Sequence, residues 1–166
     1  MVKIKYLLVG VPMVIIGIVT VFTFFSSEEK KVKKQFQLLS EGMLKSPEEN
    51  AFMTLQKMKN IGTLFDEHCE IKAPDQYLSG SYTRDEISTY AGSARSYFSQ
   101  LDLTFYDFNI FFSEKEIAQV TLTARLRGKS TAGEQVDETR ELECDLKKGE
   151  KKWLFSSIEV VEVLKK

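Results

Sequence analysis

The hydrophobic and polar positions of residues 102–164 predict four β-strands in succession, joined by short polar connections. In the second strand, residues 116–127, apolar and polar side chains alternate. The apolar positions are Ala118, Val120, Leu122, Ala124 and Leu126. Alternation over this length is typical of an antiparallel strand with one buried face. We therefore expect an antiparallel meander, with a β-bulge near Tyr106, where the apolar positions change parity.

The chain before this meander has the periodicity of helices, which we expect to cover one face of the sheet. Residues 27–44 predict a helix with the apolar face Val32, Phe36, Leu39 and Met43. A second helix is expected from the cap at residues 46–49 to Gly62, because serine, proline and glutamate there suit a helix start. Its predicted buried side is Ala51, Phe52, Leu55 and Met58.

A strand and a third helix complete the predicted order. Residues 64–73 place Phe65, Cys69, Ile71 and Ala73 on one strand face. Residues 83–86 form a capping box, threonine followed by glutamate three positions later, which predicts a helix start. The apolar stripe expected after it is Ile87, Tyr90, Ala91, Ala94, Tyr97, Phe98 and Leu101.

The loop lengths predict how the last strands pair. If residues 128–137 form a hairpin loop, Leu122 faces Cys144 on the inner side of the sheet. Arg125 then faces Glu141 on the outer side, a cross-strand pair worth about 0.2–1 kcal/mol. A turn at residues 148–150 pairs Cys144 with Ser156.

The last strand is apolar on both faces. Leu154, Ile158 and Val160 point one way, whereas Trp153, Phe155 and Val161 point the other way. We expect the second set to form an apolar patch on the convex face and to support a homodimer. The alternative is a monomer in which Trp153 folds over a neighbouring strand.

Residues 6–25 are an uncharged run of 20 residues. As a helix this run extends about 30 Å, the hydrocarbon thickness of a bilayer. The alternative is a cleaved signal peptide, but the run is longer than usual and no small-residue cleavage site follows it. We expect a basic tail at residues 1–5, a transmembrane helix at 6–25 and an α+β domain at 26–166.

The charges beside this run give two opposed indications of orientation. Two lysines precede it and four follow it, at positions 30, 31, 33 and 34, which favours a cytoplasmic domain. A short basic tail before an apolar run, however, resembles a signal-anchor, and large domains cross largely regardless of charge. We expect a single-pass protein of the cell membrane with an extracytoplasmic (periplasmic) domain.

The four lysines lie on the polar face of the first predicted helix. Such a cluster can attract anionic lipid headgroups. It can also be an ordinary solvated helix surface, and the glutamates at positions 28, 29 and 41 favour that interpretation.

Composition excludes several kinds of site. The formal net charge is −1, and a balance this near zero does not indicate nucleic-acid binding. The chain has one histidine and two cysteines, Cys69 and Cys144, too few for a multi-histidine or cysteine-rich metal site. We expect no metal and no cofactor, and buried thiols rather than a disulfide, which needs Cα atoms within about 7 Å.

The order of elements and two local stretches, FDEHCEIKAP at 65–74 and GSYTRDEI at 80–87, resemble the nuclear transport factor 2-like (SnoaL-like, cystatin-like) superfamily. The resemblance implies a cone-shaped fold, with three helices on the concave face of a curved, mostly antiparallel sheet. It also implies a pocket between the helices and the sheet. The residues expected near that pocket are Tyr82, Tyr90, Tyr106, Phe108, Arg140, Cys144 and Ser156.

Enzymes of this superfamily place an aspartate base and a tyrosine or second acid in the pocket, where burial shifts pKa values. Asp66 and His68 lie opposite Cys69 on their strand, so we expect them to face away from it. No other catalytic pair emerges from the pattern. We therefore expect a membrane-tethered binding or scaffold domain without catalytic residues, with membrane proteins or an apolar small molecule as partners. The alternative is a small-molecule lyase or isomerase of the polyketide-cyclase type.

Overall fold

The computed structural model describes residues 27–74 and 78–161. The elements are α1 (of which residues 27–43 are described), α2 (Ala51–Gly62), β1 (Phe65–Lys72), β2 (Gly80–Thr83), α3 (Arg84–Tyr97), β3 (Phe98–Glu114), β4 (Ile117–Ser130), β5 (Gln135–Lys148) and β6 (Trp153–Val161). The predicted membrane span at 6–25 lies outside these residues. Within the described ranges, every helix is too short or too polar to cross a bilayer.

The six strands form one sheet in the order β2-β1-β6-β5-β4-β3. All neighbours are antiparallel except β1 and β6, which are parallel. The predicted α+β arrangement, three helices on a curved sheet, is confirmed. The short strand β2 was not predicted, because its four residues carry too little pattern to separate them from a turn.

The core lies between α1 and the concave face of the sheet. The ring centroid of Phe36 lies 4.9 Å from that of Phe155, 5.2 Å from that of Phe108 and 5.4 Å from that of Phe105, all edge to face. Edge-to-face aromatic pairs add about 0.5–1.5 kcal/mol each beyond the area they bury. The predicted inner face of β4 is confirmed, since its alternating apolar side chains are buried from Ala118 to Ala124.

The β4–β5 pairing is shifted by two residues from the prediction. Leu122 faces Leu142, not Cys144, and Arg125 faces Thr139, not Glu141. The strands continue further than expected, because Ser130 N donates to the carbonyl of Glu134 at 2.8 Å and closes a short hairpin. A shift of two leaves every side chain on its predicted face.

The predicted bulge near Tyr106 is confirmed. The pairing of β3 with β4 slips between Tyr106 and Asn109, and Asp107 has a φ of 56°. The extra residue returns the apolar side chains that follow to the concave face.

The predicted convex patch on β6 is wrong for two of its three residues. Trp153 and Phe155 are 1% and 0% exposed and face the helices. The cause is a bulge at Ser156: Leu146 faces Phe155, but Cys144 faces Ile158 rather than Ser156. One extra residue reverses the parity, so Phe155 before the bulge and Ile158 after it both face the concave side. Val161 pairs with Glu141 and is half-buried, and the homodimer stays a prediction.

The start and buried face of α2 differ from the prediction. Asn50, not Ser46, is the N-cap, and its side chain accepts from the Met53 amide. Phe52 and Leu55 are 75% and 70% exposed, so their predicted burial is wrong. The chain turns before the helix to bring Glu49 inward, which changes the face that α2 presents to the core.

The capping box at residues 83–86 is confirmed as the start of α3. The buried residues of this helix are Ile87 and Arg95, whereas Tyr90 and Tyr97 of the predicted stripe are exposed. The helix ends at Tyr97, so the rest of that stripe belongs to β3.

Candidate functional site

The residues predicted to line a pocket are separated in the structure. Tyr82 and Tyr90 contact each other, with ring centroids 5.3 Å apart. Phe108 packs on Phe36 in the core. Cys144 is buried on the inner face of β5.

The other three lie elsewhere. Tyr106 pairs with Thr123 on the outer face, so its predicted inward direction is wrong, and the β3 bulge explains why. Arg140 is exposed and forms an ion pair with Glu138 at 2.7 Å. Ser156 occupies the β6 bulge. A role of the seven residues in ligand binding stays a prediction.

The two cysteines are buried and free. Burial raises the pKa of the Cys69 thiol to about 12 and also raises the pKa of Cys144. Their strands, β1 and β5, are separated by β6. Both thiols are therefore protonated at neutral pH and are poor nucleophiles.

The polar face of β1 carries Asp66 and His68. His68 is exposed and pairs with Thr83, on the opposite side of the strand from Cys69. Asp66 lies 3.9 Å from Lys147 Nζ. In the described ranges, no group of three or more histidine, cysteine or acidic side chains is arranged to hold a metal ion.

A cavity of about 710 Å3 lies beside Glu28, near the first described residue of α1. Its floor is aromatic: the rings of Phe112 and Trp153 have centroids 5.8 Å apart. The β3–β4 turn, the end of β5 and Glu28 of α1 form its walls. The remaining lining residues are Glu28, Ser113, Glu114, Lys115, Glu116 and Lys148. We name this space the Glu28 cavity.

Glu28 is the buried charge of this cavity, and its side chain is 5% exposed. Its carboxylate accepts from Lys31 Nζ at 2.8 Å and from Trp153 Nε1 at 2.9 Å. Lys148 Nζ lies 3.2 Å from the same carboxylate and 5.7 Å from the Trp153 ring centroid. Burial raises the pKa of Glu28, but the three donors outweigh it and the net pKa is lowered. The carboxylate is therefore ionised at neutral pH.

A second buried carboxylate, Glu49, lies in the turn before α2. Arg95 Nη2 donates to Glu49, and Arg95 Nη1 donates to the carbonyls of Gly42 and Leu44 at 2.7 and 2.8 Å. Lys57 Nζ donates to Glu49 at 2.7 Å. These contacts join α1, α2 and α3. We name these side chains the Arg95–Glu49 cluster.

Sequence reasoning missed both buried charges, although a signal was present. Glu28 precedes Val32 and Phe36 at intervals of four, and Arg95 follows Ile87 at an interval of eight. Each is therefore in register with the apolar stripe of its helix. A charged residue at such a position indicates a buried ion pair or a site.

Comparisons with known proteins concern the fold. No family model matches the sequence, and no curated protein matches it. Solved structures do match. The chain has the nuclear transport factor 2-like fold. A candidate scytalone dehydratase from Novosphingobium aromaticivorans is 17% identical with a TM-score of 0.66, over 83% of this chain and 85% of that one.

Two further structures have the same TM-score of 0.66. LinA is 8% identical over 81% of this chain and 85% of its own. A nuclear transport factor 2-like protein with a cystatin-like fold, also from Novosphingobium aromaticivorans, is 7% identical over 86% of both chains. Identities this low establish the fold and leave the activity open.

Proposed function

We propose that this chain is a membrane-tethered, extracytoplasmic binding domain that holds an apolar small molecule in the Glu28 cavity. Residues 6–25 are the tether. The observation that carries the binding role is the cavity itself, which has an aromatic floor and one buried, ionised carboxylate. Small-molecule sites are commonly clefts of about 300–1,000 Å3 with apolar walls and few polar groups.

The floor determines the kind of ligand. Phe112 is partly exposed and offers a ring face that suits an aromatic or aliphatic body, and the buried Trp153 packs against it. The charged walls are at the rim, where Glu114, Lys115 and Glu116 are exposed. An apolar molecule with a polar end directed toward this rim fits the arrangement.

The competing function is a lyase or isomerase of the polyketide-cyclase type, and the name of the dehydratase-like neighbour favours it. Such chemistry needs a general base with a pKa near the working pH. Glu28 accepts from three donors and has a lowered pKa, so it is a weak base. This environment suits a charge that positions a ligand better than one that removes a proton.

The binding proposal can be tested with the tryptophan that the cavity contains. Trp153 is the single tryptophan of the chain, so its emission reports on this cavity alone. Full-length protein in zwitterionic nanodiscs is titrated with anilinonaphthalene sulfonate, and energy transfer from Trp153 is measured against empty nanodiscs. We expect saturable transfer.

Two substitutions decide whether this transfer arises in the cavity. Ser113→Phe adds a ring to the cavity wall and should weaken binding by about tenfold, since it occupies space that the ligand needs. Ser96→Phe adds the same ring to the exposed side of α3 and should leave binding unchanged. Equal affinity of both variants and the wild type would contradict the assignment of the cavity.

The tether is tested by alkaline carbonate extraction of membranes from expressing cells. We expect the full-length protein to stay in the membrane pellet with its N-terminal sequence intact. A protein that begins near residue 26 and is recovered in the supernatant would contradict the tether, whatever the cavity binds.

A further inference from the structure

Three segments that are distant in sequence meet around the Glu28 cavity. They are residues 27–34, the β3–β4 turn at 114–116 and the β5–β6 turn at 147–152. The amide of Lys148 donates to the carbonyl of Glu116 at 2.8 Å, and Lys148 Nζ lies 3.2 Å from Glu28. We name this surface the basic end.

The basic end concentrates positive charge. It carries nine lysines and five glutamates, in a chain whose formal net charge is −1. One of the glutamates, Glu28, is buried and bonded to lysines of the same surface. The lysines are Lys30, Lys31, Lys33, Lys34, Lys115, Lys147, Lys148, Lys151 and Lys152.

The fold changes the interpretation of the lysines in α1. In the sequence they form one run interrupted by glutamates, as on an ordinary solvated helix. In the structure, five further lysines from two turns join them at the same end. Within the three segments lysines outnumber glutamates by four, and Asp66, 3.9 Å from Lys147 Nζ, offsets one of these charges. A patch built from three separate segments with such an excess of positive charge has the character of an electrostatic docking surface.

We propose that the basic end binds the anionic surface of the bilayer that holds the tether. This inference rests on the proposed tether at residues 6–25. Glu28 is three residues beyond position 25, so its Cα lies within about 11 Å of that of residue 25 in any conformation. Attraction of lysines to anionic headgroups falls off over a Debye length of about 8–10 Å. Glu28 and the lysines next to it in α1 are therefore within reach of the headgroup field.

This docking determines which way the cavity faces. The Glu28 cavity is lined by residues of all three segments of the basic end. With the basic end on the bilayer, the cavity opens beside the headgroups, and an apolar ligand can enter from the lipid phase. The β4–β5 hairpin, at the other end of the long strands, points away from the membrane.

The test measures the distance of Trp153 from the headgroups. Full-length protein is placed in nanodiscs that carry a headgroup spin label, with either phosphatidylglycerol or phosphatidylcholine as the bulk lipid. We expect quenching of Trp153 to be about twofold stronger with phosphatidylglycerol at low salt and to lose this excess near 0.5 M salt, because exposed charges are screened.

Charge reversal identifies the surface responsible. Lys30→Glu with Lys151→Glu removes the excess charge of the basic end, and we expect it to abolish the lipid dependence. The control variant, Lys129→Glu with Arg140→Glu, changes the net charge of the protein by the same amount, but its substitutions lie toward the β4–β5 hairpin. We expect this variant to retain the lipid dependence of Trp153 quenching. Equal quenching in both lipids, or equal loss in both double variants, would overturn the docking surface.

The same experiment distinguishes a failure of the docking surface from a failure of the tether. A chain that does not incorporate into nanodiscs refutes the tether, and the docking surface with it. A chain that incorporates but shows no lipid dependence refutes the docking surface alone.

Discussion

Glu28 and Glu49 are both buried carboxylates with lowered pKa values, but their surroundings differ. Glu49 is enclosed: Arg95, Lys57 and Thr54 all donate to it, and the Arg95 side chain is 1% exposed. Glu28 has an indole on one side and two lysines that extend into solvent, and it lines an open cavity. The same chemical group is thus placed in two different environments.

The comparison separates a charge that stabilises the fold from one that is available to a ligand. Arg95 donates to Glu49 and to two carbonyls at the end of α1, so its loss would expose several polar groups to an apolar interior. Glu49 and Arg95 are each 1% exposed, so this carboxylate is closed to a ligand. Glu28 also accepts from three donors, but two of them, Lys31 and Lys148, are partly solvated and can move away.

The largest expected effect is therefore at Glu49. Glu49→Gln leaves the Arg95 guanidinium buried without its counter-charge, a change that typically costs about 3–5 kcal/mol. Urea unfolding followed by circular dichroism would show a lower midpoint. The matched control is Glu48→Gln, one residue earlier and exposed, which should change the stability by less than about 0.5 kcal/mol.

A double variant refines this result. Arg95→Met combined with Glu49→Gln removes both charges, so no unpaired guanidinium remains buried. It should be more stable than Glu49→Gln alone. If the double variant is the less stable of the two, the Arg95–Glu49 cluster acts through packing and carbonyl contacts rather than through its charges.

The elements that the sequence predicted well are those with a long, uninterrupted period. β4 alternates from Ala118 to Leu126, and α1 repeats its apolar positions from Val32 to Met43, about three turns, so local pattern and tertiary packing agree. The bulge near Tyr106 was also visible, because both of its flanks are strongly apolar.

The errors occur where one tertiary contact outweighs the local pattern. The bulge at Ser156 reverses the faces of Trp153 and Phe155, and no residue of β6 is of a type that would predict a bulge there. The start of α2 moves to Asn50 because Glu49 pairs with Arg95, a partner 46 residues away. The Glu28 cavity was missed because it also depends on a long-range contact: Glu28 and Trp153 are 125 residues apart in the sequence.

The second expected effect is a loss of stability in acid. The pKa of Glu49 is lowered from 4.5 to about 2, because the hydrogen bonds from Lys57, Arg95 and Thr54 outweigh the effect of burial. A folded-state pKa below the unfolded value contributes stability that is complete above about pH 4.5 and is lost as the pH falls toward 2. This difference corresponds to about 3 kcal/mol.

The measurement compares unfolding free energies of wild type and Glu49→Gln between pH 5 and pH 2.5. The wild type should lose stability more steeply, so the two curves should converge as the pH falls. Parallel curves would show that the low pKa of Glu49 does not contribute to stability.

The smallest expected effect is at Glu28, because its lysine partners are partly solvated. Glu28→Gln keeps an oxygen that can accept from Trp153 Nε1 and loses only the charge, so we expect a cost of about 1 kcal/mol. Trp153 should report the change directly, since its indole loses an ionised acceptor at 2.9 Å and its emission should shift. A destabilisation as large as that of Glu49→Gln would mean that Glu28 is a second structural ion pair, and the cavity would then lose the feature that distinguishes it from the Arg95–Glu49 cluster.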